Sequence, residues 1–282
     1  MAASSFSAVG DSSRPYGTSL SYYQSAKVQL KWVQDLAKSG KVKLVLKAAD
    51  VPSVIEPEFP PGAILAIEGG DPLDGIPDRV NEFYQLGVRM ITLVHYRNNE
   101  LGDIMAKYGS WEPCLAREGL TQVGRKVVER MQELGMVVDV AHAHPLTLKQ
   151  VAEMTSKPLL DSHTSPCSRE DPSKCWRYRT WNDMERVAKT GGVVCTWPIK
   201  RLARKTFLDW AKEILKMKRR LGMDHVGLGT DGGGGAHCLD GYRDIRDLVH
   251  LVAAMQEVGF SHEDIRSYMG GNFYRVLQHC IG

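Results

Sequence analysis

The sequence predicts a parallel α/β barrel of the TIM-type (β/α)8 class. Three observations carry this reading. Short, nearly continuous apolar runs alternate with longer amphipathic stretches along the 282 residues, several of those stretches end at a glycine, and five metal-type side chains close five different apolar runs. Apolar strands alternating with helices imply a parallel sheet covered by helices, and a glycine just past a helix is its usual C-cap. A doubly wound sheet gathers function at one topological switch point, whereas a barrel collects the ends of many strands around its C-terminal mouth.

Taken in order, the predicted strands are 42–47, 63–68, 88–95, 136–142, 157–163, 192–197 and 225–231. Helical periodicity fills 25–40, 76–87, 121–135, 146–156, 181–191 and 207–222, and SHEDIRSYM (261–269) reads as a capped helix start with acids in its first turn. No 20–50-residue repeat, low-complexity tract or splitting linker appears. A single barrel domain over 1–282 is expected.

Composition narrows the function classes. The hydrophobic fraction of 43%, the charged fraction of 24% and the net charge of +3 are ordinary for a globular protein. The basic run Lys216, Lys218, Arg219 and Arg220 sits on a helical pattern with no interleaved aromatics, which favours a solvated face over a nucleic-acid surface. No apolar run reaches the roughly 18 residues that would span a bilayer. Residues 1–20 lack the basic start and apolar stretch of an export signal. With Met1 as the true start, a cytoplasmic protein is expected, its six cysteines reduced and neither a disulfide framework nor a CxxC zinc pair. Expected partners are a small substrate and a second copy of the chain, with no nucleic acid and no membrane.

The five strand-end residues are Glu68, His95, His142, His163 and Asp231. A carboxylate at the end of an apolar strand needs a cation, a metal or hydrogen-bond donors. Glu68, His142 and His163, pointing into one mouth, make a three-ligand set that leaves a fourth position open, the pattern of catalytic zinc. His144 forms His-x-His with His142 but lies at the start of a loop before Pro145, and reads as a supporting or surface residue. Asp231, followed by four glycines, reads either as a proton-transfer carboxylate or as a turn aspartate. Gly227, Gly229 and Gly232 match G-x-G-x-x-G, but two of them lie inside the strand and no helix opens after them, against dinucleotide binding. No nucleophile elbow or P-loop is present.

At these residues the sequence resembles the renal (membrane) dipeptidase family of zinc peptidases, within the amidohydrolase superfamily. The carrying segments, in register from about residue 22 to the end, are AILAIEGG, LGVRMITLVHYRNNELGD, GLTQVGRKVVERMQELGMVVDVAHAHP, PLLDSHTS, VGLGTDGGGG and GGNFYRVL. The resemblance implies that Glu68 bridges two zinc ions and that His142 and His163 complete one site. It further implies that Asp231 exchanges protons beside the other metal and that His95 stabilises the oxyanion. Arg179, in RYRTWND beyond an insertion over 166–178, aligns with an arginine that grips the substrate carboxylate.

The sequence departs from the family pattern at its start. The family opens with His-x-Asp on its first strand, and the first histidine here is His95. Residues 5–10 (SFSAVG) correspond to the second strand, so the expected barrel lacks its first strand, with 42–47 an extra strand outside it and one or two Zn2+ bound. A longer form carrying the missing strand, and with it an upstream export signal, stays open. The implied function is hydrolysis of a short peptide or related amide by metal-bound hydroxide. The alternatives are a non-catalytic relative that only binds a ligand or partner, and an amidohydrolase acting on lactones or acylated amino acids.

Overall fold

The computed structural model describes residues 3–12, 19–51, 59–107, 114–167, 177–201, 203–232 and 237–282. In chain order these form β1 (Ala3–Val9), α1 (Tyr22–Lys38), β2 (Lys43–Leu44), β3 (Gly62–Glu68), α2 (Arg79–Gln85), β4 (Val88–Thr92), α3 (Gln122–Glu133) and β5 (Val137–Asp139). There follow α4 (Pro145–Met154), β6 (Leu160–Thr164), α5 (Trp181–Lys189), β7 (Val193–Thr196), α6 (Phe207–Leu221), β8 (Val226–Leu228), α7 (Leu248–Glu257), α8 (His262–Arg266) and α9 (Asn272–Ile281). Local chemistry sets the helix starts. Ser21, Thr206 and Ser261 each accept the backbone N–H three residues on in a capping box.

The sheet is parallel and runs β1-β3-β4-β5-β6-β7-β8, with β2 paired to β3 off this path. It is the curled sheet of a barrel, and among the described residues no pairing joins β8 to β1. The expected barrel without its first strand is therefore observed, with 42–47 outside the path. The outer edge of β1 is met at Val9 by a side chain: Gln29 of α1 accepts the Val9 N–H (2.8 Å) and donates to its carbonyl (3.1 Å). An amide side chain thus stands in for a neighbouring strand.

Period-2 alternation divides each strand between two cores. Leu65 and Ile67 pack outward with Val88, Ile91, Val138 and the helices. Ile64, Ala66, Met90, Val137, Leu160, Val193 and Cys195 pack inward, joined by Val276, Leu277 and Cys280 of α9. The C-terminal helix closes the end of the barrel opposite the mouth. The mouth side of this inner layer is polar, and there the strands end.

The strands are shorter than the sequence patterns suggest. His95, His142 and Asp231 each lie three residues past the last strand residue, because the backbone turns out of the sheet before them. The expectation of reduced thiols is corrected at Cys167, which is disulfide-bonded; Cys114, Cys195, Cys238 and Cys280 are free. Most of the 166–178 insertion, and Gly233, Gly234 and Gly235, lie outside the described residues. The basic run on α6 is a solvated face with local ion pairs, Lys218 to Asp264 and Arg220 to Glu185. No helix among the described residues is long and apolar enough to cross a membrane.

Candidate metal centre

Five strands deliver their ends to one place. Glu68 is the last residue of β3, and its Oε1 lies 3.3 Å from His142 Nε2, 3.4 Å from His163 Nε2 and 3.8 Å from His95 Nε2. The two nitrogens of His142 and His163 are themselves 2.9 Å apart. A tetrahedral zinc with bonds of about 2.0–2.1 Å has ligand–ligand edges of about 3.3–3.4 Å. The three distances among Glu68, His142 and His163 lie near that edge, so the donor set fits such an ion. Asp231 joins Glu68 and His163 in a second group of mutually close donors, as His95 does with Glu68 and His142.

Electrostatics favour the ligating forms. Burial holds both His142 and His163 well below the ordinary histidine value, with the Arg177 charge acting in the same direction. Both imidazoles are neutral at pH 7, the state in which a ring nitrogen can bind a metal. Burial, and then the Glu68 charge, push the Asp231 carboxyl up to about 6. A carboxyl with that value can both take and release a proton near neutrality.

The backbone is strained at the same residues. His142 and Asp231 take φ of +63° and +47°, a region that non-glycine residues occupy at a cost of order 1–3 kcal/mol. Gly229, between β8 and Asp231, is forced by close approach: a Cβ there would lie 1.8 Å from the Ser162 carbonyl. Packing therefore explains a glycine that belongs by accident to a nucleotide-binding pattern.

Several residues that sequence reasoning passed over complete the mouth. Asp11, just after β1, places Oδ1 2.8 Å from His95 Nδ1 and accepts the Tyr96 N–H on Oδ2 (3.2 Å). Arg177 donates to His142 Nδ1 at 2.6 Å and lies over the Tyr96 and Trp197 rings. Trp197 in turn packs on His163, with ring centroids 5.2 Å apart. His144 caps α4, its Nδ1 accepting the Leu146 N–H.

Arg179 does not reach the mouth, contrary to the expectation placed on it. Its side chain is 0% exposed. Its guanidinium donates to Asp161 Oδ2 (2.7 Å) and to the carbonyls of Ala143 (2.6 Å) and Val140, which ties the 177–180 segment to β5 and β6. The residue of RYR that faces the mouth is Arg177, two positions earlier.

The chain is similar to known proteins in sequence and in fold. The model of the membrane dipeptidase family (peptidase family M19) matches residues 12–280. Dipeptidase tcpJ of Claviceps purpurea (strain 20.1) is 27% identical over 250 residues, covering 85% of this chain and 56% of the relative. Dipeptidase verJ of Clonostachys rogersoniana is 28% identical over 219 residues, covering 76% and 54%. The chain thus spans little more than half the length of these curated relatives. Among solved structures, a metallopeptidase described as dipeptidase AC superposes with a TM-score of 0.86 at 24% identity, covering 100% of this chain and 86% of its own. A metallopeptidase from Rhodobacter sphaeroides, liganded with a phosphinate mimic of the dipeptide L-Ala-D-Ala, gives 0.81 at 24% identity, covering 92% and 75%. Both share the fold.

Proposed function

Because the chain belongs to the membrane dipeptidase family (peptidase family M19), we propose that it is a zinc-dependent hydrolase that cleaves the amide bond of a short peptide. The observation that carries this reading is the Glu68–His142–His163 triangle, with edges of 2.9, 3.3 and 3.4 Å at the mouth of the barrel. Glu68, His142 and His163 would hold the zinc, which would supply Lewis acidity and water activation there.

The chain's own residues do the rest. Asp231 accepts a proton from the attacking water and returns it to the leaving amine, a task its value of about 6 suits. His95 gives its Nδ1–H to Asp11 and turns Nε2 toward the mouth, where its imidazolium form donates to the carbonyl oxygen as charge develops on it. Arg177 supplies a planar fork for the substrate carboxylate, with Tyr96 and Trp197 as walls. For His142 Nε2 to ligate, the ring proton must sit on Nδ1, which a guanidinium cannot then approach as donor. Arg177 is therefore the movable member, released from His142 to meet the substrate. The disulfide at Cys167 suits an oxidising compartment better than the cytoplasm expected from sequence.

The test is hydrolysis by the zinc-loaded protein of a panel of dipeptides, acylated amino acids and lactones. Turnover of dipeptides with little on the other classes is expected. Lactone or acyl-amino-acid turnover without dipeptide cleavage overturns the substrate class, and zinc uptake with no hydrolysis of any member overturns the enzyme reading.

A further inference from the structure

Beneath the ligand triangle lies a buried polar layer centred on Asp139, at the end of β5 and 0% exposed. Its carboxylate is fully used. Oδ2 accepts the hydroxyls of Thr92 (2.6 Å) and Ser162 (2.7 Å), and Oδ1 accepts the backbone N–H groups of Ala141 and Ser162, both at 3.0 Å. One side chain thereby ties the mouth ends of β4, β5 and β6 together. The next contact leads into the candidate centre: Ser162 Oγ lies 2.9 Å from His163 Nδ1.

The direction of this chain follows from valence. An ionised carboxylate only accepts, so the single Ser162 hydroxyl proton points to Asp139. Ser162 Oγ can then only accept from His163, which requires the imidazole proton to be on Nδ1. A free histidine side chain prefers its proton on Nε2, so the relay reverses the intrinsic tautomer and leaves the Nε2 lone pair facing Glu68 and His142.

We propose that Ser162 and Asp139 are positioning residues that commit His163 to metal ligation through Nε2, the hydroxyl serving as a one-atom bridge between a buried carboxylate and the ligand. The inference rests on the reading of Glu68, His142 and His163 as a metal site. A hydrogen-bonded partner on the far nitrogen of a ligating histidine fixes both ring orientation and tautomer, and its loss typically costs about 10–100-fold in metal affinity. Asp139 also holds the Ala141 N–H, one residue before His142, so the same carboxylate supports the backbone of the second ligand.

Three proteins test the relay: wild type, Ser162→Ala and Ser162→Thr. In each, the His163 ring nitrogens are read by 15N NMR on metal-free protein, with His163→Ala for assignment, and zinc affinity is measured by chelator competition. The wild type is expected to carry the proton on Nδ1. Ser162→Ala should shift His163 to the Nε2–H form and weaken zinc about 10–100-fold, at an unfolding temperature close to wild type in metal-free protein. Ser162→Thr, which keeps the hydroxyl, should restore both. A His163 that holds the same tautomer in wild type and Ser162→Ala, or an alanine variant that binds zinc as tightly as wild type, overturns the relay. If wild type takes up no zinc, the metal reading fails by itself, and the tautomer comparison still decides whether the relay exists.

Discussion

Asp11 and His95 stand 84 positions apart in sequence and 2.8 Å apart in space, carboxylate oxygen to Nδ1. The contact joins the first strand of the chain to the loop after β4, and the other Asp11 oxygen holds the Tyr96 N–H. An imidazole anchored at Nδ1 has a fixed direction for Nε2, which is what a group acting on a developing oxyanion needs. Asp11→Ala is therefore expected to lower kcat roughly 10-fold or more, the lower end of what a single positioned group contributes, with zinc content unchanged. Steady-state kinetics beside elemental analysis checks this. Equal loss of zinc and activity would instead make Asp11 part of the metal site.

The proposed function gives Arg177 a part in substrate binding and leaves Arg179 a part in stability. Arg177→Met should raise KM for peptides with a free α-carboxylate while leaving C-terminally amidated analogues nearly unaffected, since a guanidinium fork pairs bidentately with a carboxylate. Arg179→Met should leave Asp161 buried and unpaired, costing about 3–5 kcal/mol of stability. Kinetics on both substrate series and denaturant melts of both variants give the comparison. A destabilised Arg177 variant with an unchanged KM would reverse the assignment.

The fold and the convergence of Glu68, His142 and His163 were legible in the sequence because both are written in strong local patterns. Apolar runs marked the strands, and Glu68, His142 and His163 stood out as polar residues closing them. Asp11 was invisible because its meaning comes from a contact across 84 residues, and a lone aspartate after SFSAVG reads as a turn. Asp139 and Ser162 were hidden for another reason. They sit within MVVDVAH and PLLDSH as polar interruptions of apolar strands, and only the convergence of three inner faces turns them into one layer. Arg177 was overlooked because it falls within the 166–178 insertion, where resemblance offers no guide, and only the fold shows that it faces the mouth while Arg179 turns into the core. The strands at β4 and β5 were overextended because Leu93, Val94, Val140 and Ala141 continue the apolar run after the sheet pairing has ended.

Asp71 gives a pH dependence. Burial above all, with help from the nearby Asp11 charge, pushes its carboxyl up to about 6, against the Asn99 side chain that donates to it. Its unfolded value is about 4. The folded state thus binds this proton more tightly, so the contribution to stability is present below about pH 4 and is lost as pH rises through about 6. Asp71→Asn, which keeps an acceptor for Asn99, should gain stability relative to wild type between pH 4 and pH 7 by up to roughly 2–3 kcal/mol. Denaturant melts across that range measure it, and a constant difference would place the charged carboxylate among compensating partners such as Arg97.

Zinc should stabilise the folded chain through Glu68. A ligand that binds only the native state adds RT ln(1 + [L]/Kd), about 2.7 kcal/mol at a hundredfold excess over Kd. For a domain of this size each kcal/mol moves the melting temperature by about 2–4 °C. Glu68 is the common neighbour of all three imidazoles and belongs to both groups of close donors. Glu68→Ala should abolish the zinc-dependent rise in Tm. Asp231→Asn should keep most of it and yet lose about 10²-fold or more in turnover, because the role proposed for it is proton transfer and three donors remain without it. Melting curves at graded zinc with and without chelator, beside turnover numbers, separate the two variants. A Glu68→Ala protein with the full zinc shift would move the metal to other residues. An Asp231→Asn protein that loses shift and turnover together would make Asp231 a ligand first and a proton carrier second.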